Sequence, residues 1–185
     1  MADPDSPFYR ALATKYDPNR EKEALEILEA HPEIATLEWP GPDEGGQPFI
    51  KGSTLLHYAA NDGKLRLMAR LVELGADVNA SKANWYRSVL AWAGNNARLD
   101  AIAWLLEHGA DPNSLDALHA PAWGGSTGGE DESIDYPAAI EMLVNAGADL
   151  NPSLGGDYKS TPLTVANESG NVRAIATIER LGGKS

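Results

Sequence analysis

Apolar residues recur at helical spacing along this chain, in pairs of short segments separated by turn residues. The first pair covers residues 8–16 and 20–30, and in the second segment Leu25 and Leu28 share a face between charged positions. This period predicts amphipathic helices that each turn one face towards a core. Further pairs follow at 54–62 with 64–74, 88–94 with 98–108, 118–125 with 138–146, and 161–166 with 172–181.

One five-residue phrase, Gly-Ala-Asp-x-Asn, closes three of these apolar segments. It stands at 75–79, 109–113 and 147–151, so successive copies begin 34 residues (109 − 75) and 38 residues (147 − 109) apart. A period of about 33 residues is typical of repeat arrays, in which a single unit cannot bury its apolar face alone. The sequence therefore predicts that stacking of successive units forms the core.

The openings of the units carry a second set of motifs. Thr54-Leu-Leu-His57 precedes paired alanines, Thr161-Pro162-Leu163 opens the last unit, and Gly63 and Gly170 follow the short helices. Together with the Gly-Ala-Asp-x-Asn closings, these motifs resemble ankyrin repeats. The resemblance implies an all-α fold, an ankyrin-repeat solenoid of stacked helix-turn-helix units joined by hairpin loops. It also implies that His57 is a structural residue whose hydrogen bonds link adjacent repeats.

We expect the whole chain, residues 1–185, to form one domain of about five repeats. The first repeat lacks the motifs and is predicted to be an atypical, polar cap, as terminal repeats of solenoids are. His119-Ala120-Pro121 is a weak opening for the fourth repeat. The predicted units are 5–32 (cap), 52–80, 86–114, 116–152 and 159–183, with loop insertions at 33–51 and 125–137.

Composition narrows the class of partner. The formal net charge is −12, which repels nucleic acid phosphates and favours encounter with a basic protein. The absence of cysteine excludes disulfides and thiolate chemistry. We find neither a signal-peptide pattern nor an apolar run near the roughly 20 residues of a membrane helix. A cytoplasmic protein that binds neither nucleic acid nor membrane, and is monomeric when free, is therefore expected.

Candidate chemical motifs are weak. Residues 124–128 match the G-x-S-x-G pattern of a nucleophile elbow, but they lack the strand and helix that the elbow requires, and we interpret them as a mobile polar insertion. The four histidines form no i, i+4 pair, and the acids at 130–135 lack the spacing of a calcium loop. We therefore expect no catalytic residue, no metal and no cofactor.

Aromatic residues suggest where a partner is bound. The resemblance implies contact through the hairpin tips and the outer side of the short first helices, and Trp, Tyr and Arg are enriched in binding hot spots. The alternative for the tip rings is packing on the adjacent loop. The tip residues predicted to bind are Phe49, Lys51, Trp85, Tyr86, Arg87, Asp116, Tyr158 and Lys159. The predicted helix-end residues are Asn61, Asp62, Asn95, Asn96 and Glu168.

Tyr58, Trp92 and Trp123 complete the predicted binding set. They are predicted to occupy one equivalent helix position and so to form a stripe along the stack. Two interpretations of this stripe stay open, and packing between neighbouring repeats is favoured over contact with a partner, since large rings bury much apolar area.

These features predict a non-enzymatic interaction module that binds a basic protein through its hairpin tips and concave face. An acidic array of this size would suit a bacterial inhibitor, such as an immunity protein that neutralises a toxin. A scaffold or adaptor, or a self-associating array, is the alternative. A small-molecule binder with Trp92 and Trp123 as pocket walls, and an enzyme with its site in the 125–137 loop, are the remaining hypotheses.

Overall fold

The fold was obtained as a computed structural model that describes residues 6–12, 20–39, 51–81, 88–114, 116–125, 129–152 and 160–185. Over these ranges the chain forms ten α-helices, one 3₁₀ helix and no β-strand, in agreement with the predicted all-α repeat solenoid. The helices are α1 (Pro7–Leu12), α2 (Glu21–Ala30), α3 (Leu55–Asp62), α4 (Leu65–Glu73), α5 (Val89–Asn95), α6 (Leu99–Glu107), α7 (His119–Trp123), α8 (Tyr136–Asn145), α9 (Pro162–Ser169) and α10 (Val172–Leu181).

The short first helices begin and end at residues that satisfy their free backbone groups. The Ser88 hydroxyl oxygen accepts the amide of Ala91 at 3.0 Å, and the Thr161 hydroxyl oxygen accepts the amide of Thr164 at 3.2 Å. Such caps bond amides that the first turn of a helix leaves without an intrahelical partner. The helix α3 ends at Gly63, whose φ of 72° is a left-handed conformation that glycine adopts without strain.

The helices stack in two rows. The first row contains α3, α5, α7 and α9, each packed against the next, and the second contains α2, α4, α6, α8 and α10 in the same order. Leu56, Met68, Ile102 and Ile140 are fully buried between the rows. The core therefore runs continuously from repeat to repeat, as the stacking argument predicted.

The segment at 33–51, predicted to be a loop insertion, is partly regular. It begins within a 3₁₀ helix (Pro32–Thr36), and Trp39 then pairs with the residues before α3. The Trp39 amide donates to the carbonyl of Ser53 at 2.7 Å, and the Gly52 amide donates to the carbonyl of Trp39 at 2.9 Å. Trp39 is buried against Phe8, with ring centroids 6.0 Å apart. Apolar burial thus orders this part of the segment.

The insertion predicted at 125–137 is held by contacts on either side of residues 126–128, which lie outside the described part of the chain. Buried Asn171 donates to the carbonyl of Ala122 at 3.2 Å, and a Cβ placed on Gly129 would lie 2.3 Å from the Asn171 Cγ. Only glycine therefore fits at Gly129, where φ is 81°. Arg173 donates to the carbonyl of Ile134 at 3.1 Å and so holds the end of the insertion next to α10.

Candidate functional site

The Gly-Ala-Asp-x-Asn closings join neighbouring repeats through their asparagines. The Asn79 side chain donates to the carbonyl of Gly109 at 3.0 Å and accepts the amide of Asp111 at 2.8 Å. Asn113 makes the equivalent pair of bonds to the next closing, at 3.1 and 2.7 Å. Each closing is thus held in a fixed position relative to its neighbour.

The aspartates of the closings form an exposed row that we call the acidic edge (Asp77, Asp111 and Asp149). In each of them, one carboxylate oxygen accepts the amide of the asparagine two residues on, at 2.8, 2.8 and 2.9 Å. All three residues are exposed. Because they occupy equivalent positions in successive repeats, the stack presents a regular series of negative charges along one side.

Helix ends of the first row form a second surface, which the sequence predicted as a contact region. Asn96 donates to the side-chain oxygen of Asn61 at 2.7 Å, so these two helix ends are tied together. Asp62 lies 3.4 Å from the ammonium of Lys64, and both side chains are largely buried. Asn95 and Glu168 are the other helix-end residues of this surface, and Glu168 is exposed.

The predicted aromatic stripe divides in the structure. Trp92 donates its amide to the carbonyl of Ser88, and Ala120 donates to the carbonyl of Asp116, so Ala120 and not Trp123 is the equivalent of Trp92. Trp123 lies three residues further on, at the helix-end position, where 38% of it is exposed.

The other two rings of the stripe lie inside the stack. Tyr58 and Trp92 are buried and pack edge-to-face with centroids 4.8 Å apart. The Tyr58 hydroxyl is also 2.8 Å from the Ser53 hydroxyl. Packing between repeats, the interpretation that the sequence favoured, therefore describes these two rings, whose burial leaves little area for a partner to contact.

Asp116, predicted at an exposed tip, is only 6% exposed, and this prediction is corrected. Its carboxylate accepts the hydroxyl of Ser88 at 3.2 Å and the amide of Ser88 at 3.4 Å. The side chain therefore joins the start of α7 to the start of α5. Asp116 is buried because this connection is short. Asp116 follows Asn113 by three positions, whereas Ser88 follows Asn79 by nine. The shorter connection has no room for a long hairpin with an exposed tip.

Most of the remaining tip residues lie outside the described part of the chain. These are Phe49, Trp85, Tyr86, Arg87, Tyr158 and Lys159. Lys51 is described and is exposed. The predicted role of all of these residues in binding stays a prediction.

A cavity of about 190 Å³, which was not predicted from the sequence, lies at the short connection between the third and fourth repeats. Its walls include Ser114, Leu118, His119 and Asp149. The signal in the sequence that could have drawn attention to this place is the unusually short spacing from Asn113 to the start of the fourth repeat.

His119 is the titratable group with the most unusual environment in this region. It is 3% exposed, its Nε2 lies 2.9 Å from the carbonyl oxygen of Ser160, and its Nδ1 has no hydrogen-bond partner among the residues that the structure describes. Burial lowers the pKa of His119, and the bond to Ser160 opposes this shift only in part. The ring is therefore neutral at pH 7.

The residues of the candidate catalytic and metal motifs that the structure describes do not come together in one site. Residues 126–128 lie outside the described ranges. Asp131 accepts the hydroxyl and the amide of Ser133 at 2.6 and 2.9 Å, and these bonds lower the pKa of its carboxyl. Asp131 thus closes a local turn. Over the described part of the chain, no three acidic or histidine side chains are placed to hold a metal ion.

The sequence matches the family model for ankyrin repeats in three copies over residues 19–116, which is more than half of the chain. The chain therefore belongs to the ankyrin-repeat family, whose members are protein–protein interaction modules and are typically not enzymes. A comparison with curated proteins finds no match. None of the helices in the described residues is both long and apolar enough to cross a membrane.

Proposed function

We propose that this ankyrin array binds a protein with a basic contact surface and has no catalytic activity of its own. The observation that carries the proposal is the acidic edge, where exposed carboxylates recur in three successive repeats and are held in place by hydrogen bonds to the backbone. Charges that are ordered before binding lose little conformational freedom when a partner docks. A matching row of lysines or arginines on the partner would therefore be selected by position as well as by sign.

The overall charge supports the same class of partner. A formal charge of −12 steers a basic protein towards the array and disfavours nucleic acid. Trp123 adds an exposed apolar group on the first row of helices. Tryptophan, tyrosine and arginine contribute most to interfaces, and we therefore propose Trp123 and the tip 85–87 as anchors beside the charged contacts.

Inhibition of an enzyme is the biological role that we propose for this binding. A small acidic array could cover a basic substrate-binding surface, as an immunity protein does when it neutralises a toxin. Stoichiometric loss of the captured enzyme's activity on addition of the array would support this role. A captured partner that keeps its activity in the complex would leave binding intact and would favour the scaffold alternative.

The binding proposal is tested by affinity capture from the native lysate at low and high salt. Asp77→Asn/Asp111→Asn removes two charges of the acidic edge but keeps the oxygen that accepts each asparagine amide. The matched control, Asp100→Asn/Glu179→Gln, removes two exposed charges from the second row of helices. We expect the edge variant to retain several-fold less partner than wild type and the control to retain as much, with capture weakened by salt.

Trp123→Ala is tested in the same assay, and we expect it to lose partner without a change in melting temperature. The proposal is wrong if wild type, edge variant and control retain the same proteins in the same amounts, or if added salt leaves capture unchanged.

A further inference from the structure

The cavity at the short connection lies on the acidic edge. Asp149 of that edge lines the cavity, and Pro112, which also lines it, directly follows Asp111. Ser114 of the third repeat and Pro152 of the fourth are further lining residues, and each stands five residues after the glycine of its closing. The cavity therefore spans two neighbouring closings, at the step from the second to the third residue of the edge.

The polar side chains that line the cavity do not call for a hydrogen bond from a ligand. Asn113 uses both ends of its amide to hold the next closing. The Ser114 hydroxyl donates to the Ser88 hydroxyl at 3.0 Å, and one carboxylate oxygen of Asp149 accepts a backbone amide at 2.9 Å. The Nδ1 of His119 has essentially no accessible surface, so a ligand does not reach it. What the cavity offers a ligand is apolar wall and the charge of the exposed Asp149.

The apolar walls and the volume select the size of the group that enters. Leu118, Pro112 and Pro152 line the cavity, and the two prolines have no backbone N–H to present to it. The volume of about 190 Å³ is roughly six times that of one water in the liquid. A branched aliphatic side chain such as that of leucine fits this space, whereas the double ring of tryptophan is too large. Entry of an aliphatic group is favourable in proportion to the apolar area removed from water.

We propose that this cavity is the subsite for one aliphatic side chain of the basic partner, a leucine, isoleucine or methionine that stands next to lysine or arginine. The inference rests on the proposed function and names the apolar residue that accompanies the charges selected by the acidic edge. The Asp149 carboxylate favours a cation beside the entering side chain and repels an acidic neighbour. An apolar anchor in a pocket, with charged contacts around it, is the arrangement in which interface residues contribute most to binding.

The test uses the full chain, labelled with ¹⁵N, at low salt, with the capped tripeptide N-acetyl-Arg-Leu-Arg amide as the probe. We expect saturable shifts at the backbone amides of Asn113, Ser114 and Asp149. The same peptide with glycine in place of leucine keeps both charges and should bind at least about fivefold more weakly, because it buries no aliphatic side chain. The peptide with tryptophan in the centre should also bind more weakly than the leucine peptide.

Two matched pairs of variants locate the site. Ser114→Leu places an aliphatic side chain at the cavity wall and should abolish the preference for leucine over glycine. Ala80→Leu adds the same side chain at the equivalent position of the preceding repeat and should leave that preference unchanged. Asp149→Asn, which keeps an acceptor oxygen, should weaken the leucine peptide about threefold, whereas Asp77→Asn should not change its affinity.

Three results would overturn the inference. The first is that the cavity amides do not shift up to the solubility limit of the leucine peptide. The second is that the glycine peptide binds as tightly as the leucine peptide. The third is that the two members of each matched pair, Ser114→Leu with Ala80→Leu and Asp149→Asn with Asp77→Asn, behave alike.

Failure of this subsite can be told apart from failure of the proposed function. The capture experiment changes Asp77 and Asp111 and leaves Asp149 in place. If capture depends on the acidic edge while the leucine peptide does not bind, only the subsite is wrong. If the leucine peptide binds at the cavity but no basic protein is captured, the preference for an aliphatic side chain stands and the protein-binding proposal is wrong.

Discussion

The second and fourth repeats carry a histidine at the same point, three residues after the start of the opening turn, yet the two side chains have different surroundings. His57 is fully buried, and its Nδ1 accepts the amide of Thr54 at 3.1 Å and lies 3.0 Å from the Thr54 hydroxyl. His119 is almost as buried, but its Nδ1 lacks a partner among the described residues. The comparison shows that residue type and position in the repeat do not determine whether Nδ1 of such a histidine has a hydrogen-bond partner.

The residue three positions before each histidine differs, and this accounts for the difference. Thr54 is extended, with φ −100° and ψ 167°, and this conformation turns its amide back towards the ring of His57. In the fourth repeat, Asp116 stands at the position of Thr54, and its carboxylate, which has no proton to donate to the ring, is bonded to Ser88 instead. A short connection thus replaces the local turn with a bond between repeats.

The largest expected effect is the loss of stability when His57 is replaced by alanine, and a smaller loss is expected for the same change at His119. His57→Ala leaves the buried Thr54 amide without an acceptor and removes the edge contact of the ring with Trp92, so we expect a loss of about 3 kcal/mol in the free energy of unfolding. His119→Ala loses the bond to Ser160 and the packing of a buried ring but also removes the unpaired Nδ1, and it should cost about 2 kcal/mol. Urea titration measures both, and equal losses would remove the distinction between the two repeats.

Replacing the residues that begin the two opening turns, Asp116 and Thr54, should lower the free energy of unfolding by different amounts in the same urea titration. Asp116→Ala leaves two groups of Ser88 without their acceptor between repeats, and we expect a loss of about 2 kcal/mol. Thr54→Ala removes a hydroxyl that acts within its own turn, for which about 1 kcal/mol is expected. Asp116→Asn, which keeps an acceptor oxygen, is the control. A smaller loss for Asp116→Ala than for Thr54→Ala would contradict the assignment of Asp116 as a link between repeats.

The smallest expected effect is a pH dependence that belongs to the fourth repeat. Because burial lowers the pKa of His119, the unfolded chain binds more protons than the folded chain once the pH falls below the ordinary value of about 6.5. The free energy of unfolding therefore decreases as the pH falls through this region. The stability advantage of wild type over His119→Ala should shrink between about pH 7.5 and pH 5.5.

The variant also serves as the internal control of that measurement. Asp116 on the same turn and Asp149 across the cavity are present in both proteins, so their titration largely cancels in the difference. A difference that stays constant with pH would show that His119 has the same proton affinity in the folded and unfolded chains.

Parts of the candidate surface were predictable because repetition makes positions comparable. The three Gly-Ala-Asp-x-Asn phrases identify equivalent residues without any structure, and their asparagines do hold neighbouring closings together. The prediction was wrong where an irregular connection changed the register. Counting from the weak opening at His119 placed Trp123 beside Trp92, and only the backbone bond from Ala120 to Asp116 shows the true correspondence. The repeat boundaries themselves stay predictions.

The sequence by itself determined the family, the all-α class and the acidic character of the array, because these follow from local periodicity, repeated turn residues and summed charge. The tertiary structure alone decided that Asp116 is buried, that Trp123 is exposed and that a cavity opens beside His119. The physical reason is that each of these depends on how one repeat meets the next. A connection shortened by a few residues changes which backbone amides, side chains and volumes face each other, and no pattern within a single repeat records that.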